Sequence, residues 1–246
     1  MVSNDNRYFG GKALAGVREW ICRQFPSHTY YAEPFAGKGS VFRHKLPALK
    51  SWLIDSDPDV VDWWDRQLTR NGSQKPRHVS VLHGDGIRFL ELAAEWKIPD
   101  LLIYADTPYL WETRGRTRYR HDLPFAAHER ILKAMLKLNG PAFISGYSSP
   151  LYEYALKRWT RTTREVVTRG GTKAIECLWC NPIAAASARQ LSLEYWELGT
   201  DYRERERVDR KAKRWQAKYE QLDQSERLAI LFALLDQEQR LRKGRP

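Results

Sequence analysis

Leu101-Leu102-Ile103-Tyr104-Ala105-Asp106-Thr107-Pro108-Tyr109 decides the fold. Five apolar or β-favouring residues run into an acid and a proline, which reads as a buried strand stopping at a loop. In an open α/β sheet, ligands bind outside the carboxyl ends of the strands, so chemistry is expected where this strand stops. Asp106 carries a carboxylate, Thr107 exposes a main-chain carbonyl, and Tyr109 brings an aromatic ring. Such a set can hold an exocyclic amine: the two oxygens accept its protons and the ring stacks on the heterocycle. Pro108 removes an N–H donor and biases Thr107 towards an extended backbone. Taken alone, turn chemistry favours a plain strand-ending turn; the neighbouring stretches change that balance.

Upstream, a short strand over 29–32 leads into Glu33-Pro34-Phe35-Ala36-Gly37-Lys38-Gly39-Ser40-Val41-Phe42. Strand, glycine-rich turn, then helix is the arrangement that nucleotide-like ligands need. It lacks the third glycine of the dinucleotide fingerprint and the GK[ST] of a phosphate-binding loop. A second strand, Trp52-Leu53-Ile54-Asp55, ends in an acid where a ribose hydroxyl pair would be held. Asp57 or Ser56 is expected to cap the helix that starts near Val60, which leaves Asp55 to a ligand. A third strand, 79–82, ends in His83-Gly84-Asp85-Gly86, with a helix over 87–96. Near the N-terminus, Arg7-Tyr8-Phe9-Gly10-Gly11-Lys12 precedes a helix expected over 13–25; the pair of glycines reads either as an ordinary loop or as a close approach to an anionic group.

Downstream of Tyr109, residues 111–122 interleave Arg114, Arg116, Arg118 and Arg120 with Trp111 and Tyr119. Arginines contact phosphates and aromatic planes stack on bases, so a nucleic-acid contact is expected, with a solvated basic loop as the alternative. A helix over 126–138, a strand over 142–145, a helix ending near Trp159 and a strand pair at 163–168 and 174–180 complete the body. The alternation predicts an α/β doubly wound sheet. Cys177 and Cys180 form a CxxC within a strand, where residues three apart point to opposite faces, so no metal site is expected.

Lys and Arg total 41 against 30 Asp and Glu, a net charge of 41 − 30 = +11, which points to a polyanionic partner, nucleic acid first and an anionic membrane surface second. No apolar run approaches the roughly 20 residues that cross a bilayer, and the first residues lack the apolar stretch of a signal peptide, so a soluble cytoplasmic protein is expected. From about Ser187 the composition shifts. Val208, Ala212, Trp215, Tyr219 and Leu222 form a narrow apolar seam, Asp223-Gln224-Ser225-Glu226 reads as a new helix start, and Leu228, Leu231, Phe232 and Leu235 line a second helix. The division expected is a body over 1–186 and a basic helical hairpin over 187–246, which packs on the body or pairs with a second copy as a homodimer.

These stretches, in this order, resemble the D12-class, Dam-like N6-adenine DNA methyltransferases, in particular phage or prophage members, over roughly residues 7–182. RYFGGK (7–12) is similar to the family's N-terminal GGK motif, and EPFAGKGSVF (33–42) to its EPFxGxGSV motif. DTPY (106–109) is similar to DPPY. SGYSSPLY (145–152) and ECLWCNP (176–182) resemble later segments whose role is mainly structural. The resemblance implies a Rossmann-like fold and S-adenosylmethionine as methyl donor, with no metal. It implies donor contacts at Tyr8, Gly11, Lys12, Glu33, Pro34, Phe35, Gly37, Gly39, Ser40, Asp55 and Asp85. It implies catalysis at Asp106, Thr107, Pro108 and Tyr109.

Double-stranded DNA is the partner implied, met by Arg114, Arg116, Arg118, Tyr119 and Arg120, in the cytoplasm of a bacterium or phage-infected host. Restriction protection, regulation and phage DNA modification are all compatible purposes. Two departures stand out: Thr107 replaces the family's first proline, and the interval 62–80 is too short for the long target-recognition insertion usual in Dam-like enzymes. Cytosine N4, adenine in RNA, and an inactive DNA-binding relative are the alternatives.

Overall fold

The computed structural model describes residues 16–46, 48–69, 78–96, 98, 100–113, 123–167, 173–186, 210–211 and 214–243. They fall in two compact units, residues 1–193 and 194–246. The first unit contains a seven-stranded sheet in the order β3-β2-β1-β4-β5-β7-β6. Its strands are β1 (Tyr30–Glu33), β2 (Lys50–Asp55), β3 (Val79–His83), β4 (Leu101–Asp106), β5 (Ala142–Gly146), β6 (Thr160–Val167) and β7 (Lys173–Cys180). The first five are parallel, and β7 inserts antiparallel between β5 and β6. The order reverses between β1 and β4, which makes their carboxyl ends the switch point where a doubly wound sheet takes its ligand. This is the Rossmann-like α/β arrangement that the alternation of elements predicts.

Burial explains why β4 has no polar alternation. Leu101, Ile103 and Ala105 enter one core with Ala32, Ala142, Ile144, Cys177 and Trp179, under α3 (Gly86–Glu95), α4 (Phe125–Met135) and α5 (Pro150–Ala155). Leu102 and Tyr104 enter the other, with Tyr31, Phe143 and Leu178, under α1 (Val17–Cys22) and α6 (Pro182–Ala186). A strand covered on both faces reads as one apolar run. Cys177 lies in the first core and Cys180 packs against the second, so the CxxC diverges as its strand spacing predicts. A third cluster, centred on Leu53, Val60 and Trp64, seats α2 (Pro58–Leu68) at the β2–β3 end.

Asp57 caps α2, accepting from the Asp59 N–H at 3.0 Å. One element differs from its sequence expectation. Residues 40–45 form turns rather than a regular helix, with Arg43 N bonded to Gly39 O and Lys45 N to Val41 O. Pro47 follows so closely that a regular helix has almost no length in which to propagate.

In the second unit, residues 214–220 are helical and α7 spans Gln224–Lys243. The break between them is built as the sequence predicts. Asp223 accepts from the Glu226 N–H at 2.9 Å, and the Glu226 carboxylate accepts from the Asp223 N–H at 2.9 Å, a reciprocal capping box. Among the described residues no helix is long and apolar enough to cross a membrane.

Candidate active site

The glycine-rich turn leaves β1 at Glu33 and holds two left-handed residues, Gly37 at φ 46° and Gly39 at φ 54°. At Gly39 the requirement is also steric: a Cβ there would lie 2.4 Å from Cζ2 of Trp64. That indole comes from α2, is buried, and donates to the Gly37 carbonyl at 2.8 Å. The turn is thus moulded on Trp64 from behind. From the side it is tied to β2, with Ala36 N on Ile54 O at 2.9 Å and Gly37 N on Asp55 Oδ2 at 2.8 Å.

Asp55 is therefore not left to a ligand alone, as its position in the sequence suggests. Its other oxygen accepts from Asp57 N at 2.9 Å, so one carboxylate locks the glycine turn to the start of α2. Asp85 sits at the end of β3, where its Oδ1 caps α3 through Ile87 N at 2.8 Å. The next residue, Gly86, approaches the end of β1 so closely that a Cβ would lie 2.0 Å from the Pro34 carbonyl oxygen. Glu33, Pro34, Phe35, Gly37, Gly39, Asp55 and Asp85 thus lie at the carboxyl ends of β1, β2 and β3, and Ser40 opens the run of turns that follows.

Glu33 is buried and accepts a hydrogen bond from the Tyr31 hydroxyl at 2.6 Å. Burial pushes its carboxyl up to about 8; the Tyr31 bond opposes this and the nearby Asp106 charge adds to it. The same burial holds the Lys45 ammonium down to about 8. That ammonium lies 4.2 Å from the centre of the Tyr31 ring and donates to Leu46 O at 2.8 Å.

β4 delivers the catalytic candidates beside this turn. Asp106 ends the strand and accepts from the Ser145 hydroxyl at 3.1 Å, which itself bonds the buried Tyr104 hydroxyl at 2.8 Å. Ser145 is opposite Asp106 in the β4–β5 register, so the carboxylate is oriented by its own neighbouring strand. Thr107 is buried, and its hydroxyl lies 3.3 Å from that of Tyr152. Pro108 turns the chain. The Tyr109 ring packs over Gly146 and lies 4.5 Å from the Tyr147 ring, while its hydroxyl donates to both oxygens of Glu176 at 3.0 Å.

Glu176, Tyr147, Ser145 and Tyr152 contact the loop after β4, and sequence reasoning missed them because SGYSSPLY and ECLWCNP read as structural segments. A signal was present for Glu176: it precedes the apolar run Cys177-Leu178-Trp179, where an acid needs a partner if the strand is central. Tyr8, Gly11 and Lys12, and the loop residues Arg114, Arg116, Arg118, Tyr119 and Arg120, lie outside the described residues.

Residues 8–81 match the model of the D12 class N6 adenine-specific DNA methyltransferases, which takes in β1, the glycine turn, β2, α2 and most of β3. No curated protein matches the chain. Among solved structures it is similar to an rRNA methylase from Streptococcus thermophilus, at TM-score 0.42 and 11% identity over 66% of this chain and 92% of that one. It is also similar to the M. jannaschii tRNA m1G37 methyltransferase, at TM-score 0.43 and 17% identity over 68% and 48%. A SAM-dependent methyltransferase from Agrobacterium tumefaciens follows at TM-score 0.44 and 11% identity over 66% and 59%.

Proposed function

We propose that this chain, a methyltransferase of Rossmann-like fold whose residues 8–81 match the D12 class, transfers a methyl group from S-adenosylmethionine to N6 of adenine in double-stranded DNA. The observation that carries the reading is the meeting, at the switch point of the sheet, of the glycine turn on β1 with Asp106-Thr107-Pro108-Tyr109 on β4.

The donor supplies a reactive sulfonium methyl group. The chain's own task is to hold two molecules in line and to keep the amine lone pair aimed at that carbon. Asp55 suits a ribose diol and the narrow glycine turn suits close backbone approach, while carboxylates around the site complement the donor's positive charge. Asp106, already oriented by Ser145, accepts a hydrogen bond from one N–H of the exocyclic amine and the Thr107 carbonyl accepts one from the other. As the N–C bond forms and the S–C bond breaks to leave the neutral thioether, the amine gives up one proton by way of Asp106 to solvent. Tyr109 offers its ring to the base. A base inside a duplex keeps its amine out of line with any donor bound to the protein, so the target adenine is flipped out. Proximity and alignment carry most of the acceleration.

The test is transfer of label from S-adenosylmethionine labelled in its methyl group, using duplex DNA and RNA as separate acceptors. The reading expects labelled DNA from the wild type, and from Asp106→Ala at least about a hundredfold less. Label entering RNA alone overturns the choice of DNA, and equal turnover by the variant overturns the assignment of the loop.

A further inference from the structure

Thr107, Tyr152 and His128 form a buried chain beneath the catalytic loop. The Tyr152 hydroxyl lies 3.3 Å from Thr107 Oγ1 and 2.9 Å from His128 Nδ1. All three residues are at most 3% exposed. His128 is on α4 and Tyr152 on the first turn of α5, so the chain ties the loop after β4 to two helices that pack against one face of the sheet. Burial pushes the Tyr152 phenol up to about 12, which leaves its hydroxyl a single-proton link at any ordinary pH.

A hydroxyl, a phenol and an imidazole packed among apolar residues are costly to bury without mutual hydrogen bonds. A valine at 107 would fill similar space without that cost. The Thr107 hydroxyl ties this peptide to α5, just past the point where the pairing of β4 with β5 ends at Asp106 and Ser145. The peptide matters because its carbonyl is one of the two acceptors assigned to the amine, and a proline, whose fixed φ would set the loop by itself, is not present at this position.

We infer that Tyr152 and His128 are positioning residues: through the Thr107 hydroxyl they hold the 107 carbonyl and the neighbouring Asp106 in the geometry that methyl transfer uses. The inference deepens the proposed function and rests on it. It makes the chain of hydroxyls an alternative to a rigid ring, so the two devices should substitute for one another.

The experiment compares Tyr152→Phe in two backgrounds, the native chain and Thr107→Pro. Each protein is assayed for kcat and for KM of the donor with duplex DNA, and for amide hydrogen exchange at Asp106, Tyr109 and Leu110. In the native background, Tyr152→Phe lowers kcat about tenfold, leaves the donor KM within about twofold, and speeds exchange at the three amides. Thr107→Val gives the same loss, and combining it with Tyr152→Phe costs little more. In the Thr107→Pro background, Tyr152→Phe changes kcat by less than about twofold, because the ring fixes the loop without the chain. A general loss of α5 packing would instead lower kcat equally in both backgrounds, and that result overturns the inference. Unchanged exchange at the three amides in Tyr152→Phe overturns it whatever the activity. Absence of methyl transfer by the wild type, with faster exchange in the variant, sinks the proposed reaction and leaves the loop anchor standing.

Discussion

At Tyr109 a single hydroxyl proton is shared between two carboxylate oxygens at 3.0 Å, which fixes the direction of the phenol axis and hence the plane offered to a base. A hydrogen bond to a charged acceptor is worth about 1.5–3 kcal/mol, so Glu176 has leverage on the ring although it sits on β7. Glu176→Ala should lower kcat about tenfold with donor affinity unchanged, whereas Glu176→Gln keeps an acceptor oxygen and most of the rate; steady-state kinetics beside donor calorimetry check both. Glu33 supplies a second prediction, in stability. Its carboxyl is raised to about 8, so the folded state binds a proton that the unfolded chain releases near the ordinary carboxylate value of 4.5. The stabilising contribution is complete below that value and is lost as pH rises through about 8, at a limiting slope of about 1.4 kcal/mol per pH unit. Lys45, lowered to about 8, gives up its own penalty only above that pH, and burial of His28, lowered to about 4, gives wild type and variant the same opposing rise between 5 and 6.5, so the difference between the two proteins isolates the acid. Glu33→Gln should flatten the decline seen by denaturant unfolding at pH 5, 6.5 and 8; equal slopes for variant and wild type contradict the assignment.

At the scale of elements, the glycine turn proposed for the donor depends on the fit of Gly39 against Trp64 of α2. Gly39→Ala combines a left-handed φ with a side-chain clash, a strain of about 1–3 kcal/mol. It should weaken donor binding about tenfold or more by calorimetry, while a relaxed turn with native affinity would contradict the moulding described. In the second unit, Asp223→Ala removes one half of the capping box and should destabilise the start of α7 by about 1 kcal/mol, read as faster amide exchange at residues 226–230. These two sites differ in how far sequence discloses them. The Asp223–Glu226 box is local, spaced by three, and legible at once. The glycine turn was legible as a turn, and β4 as a strand, because periodicity and Gly-Pro punctuation are short-range signals. Trp64 behind the turn, Glu176 below Tyr109 and Tyr152 beside Thr107 are not legible that way. Their partners stand 27, 67 and 45 residues distant, and only the strand order brings them together. The regular helix expected after Gly39 failed for a local reason, the nearby Pro47.

For the whole molecule, the sheet order sets the logic. Parallel strands β1 and β4 are neighbours although 67 residues separate Glu33 from Leu101, and this adjacency brings the glycine turn proposed for the donor beside the loop proposed for catalysis. A net charge of +11 on a chain whose central site is lined by carboxylates suits a polyanion held by the surface and a cationic sulfonium held within. The central claim is that one loop, at one acidic residue, methylates adenine N6. The most direct measurement is nucleoside analysis: duplex DNA free of methylation is incubated with the protein and S-adenosylmethionine, digested, and its modified nucleosides quantified by mass spectrometry. The account predicts N6-methyladenine from the wild type and its loss with Asp106→Ala. N4-methylcytosine in its place, or N6-methyladenine undiminished by the substitution, would contradict it.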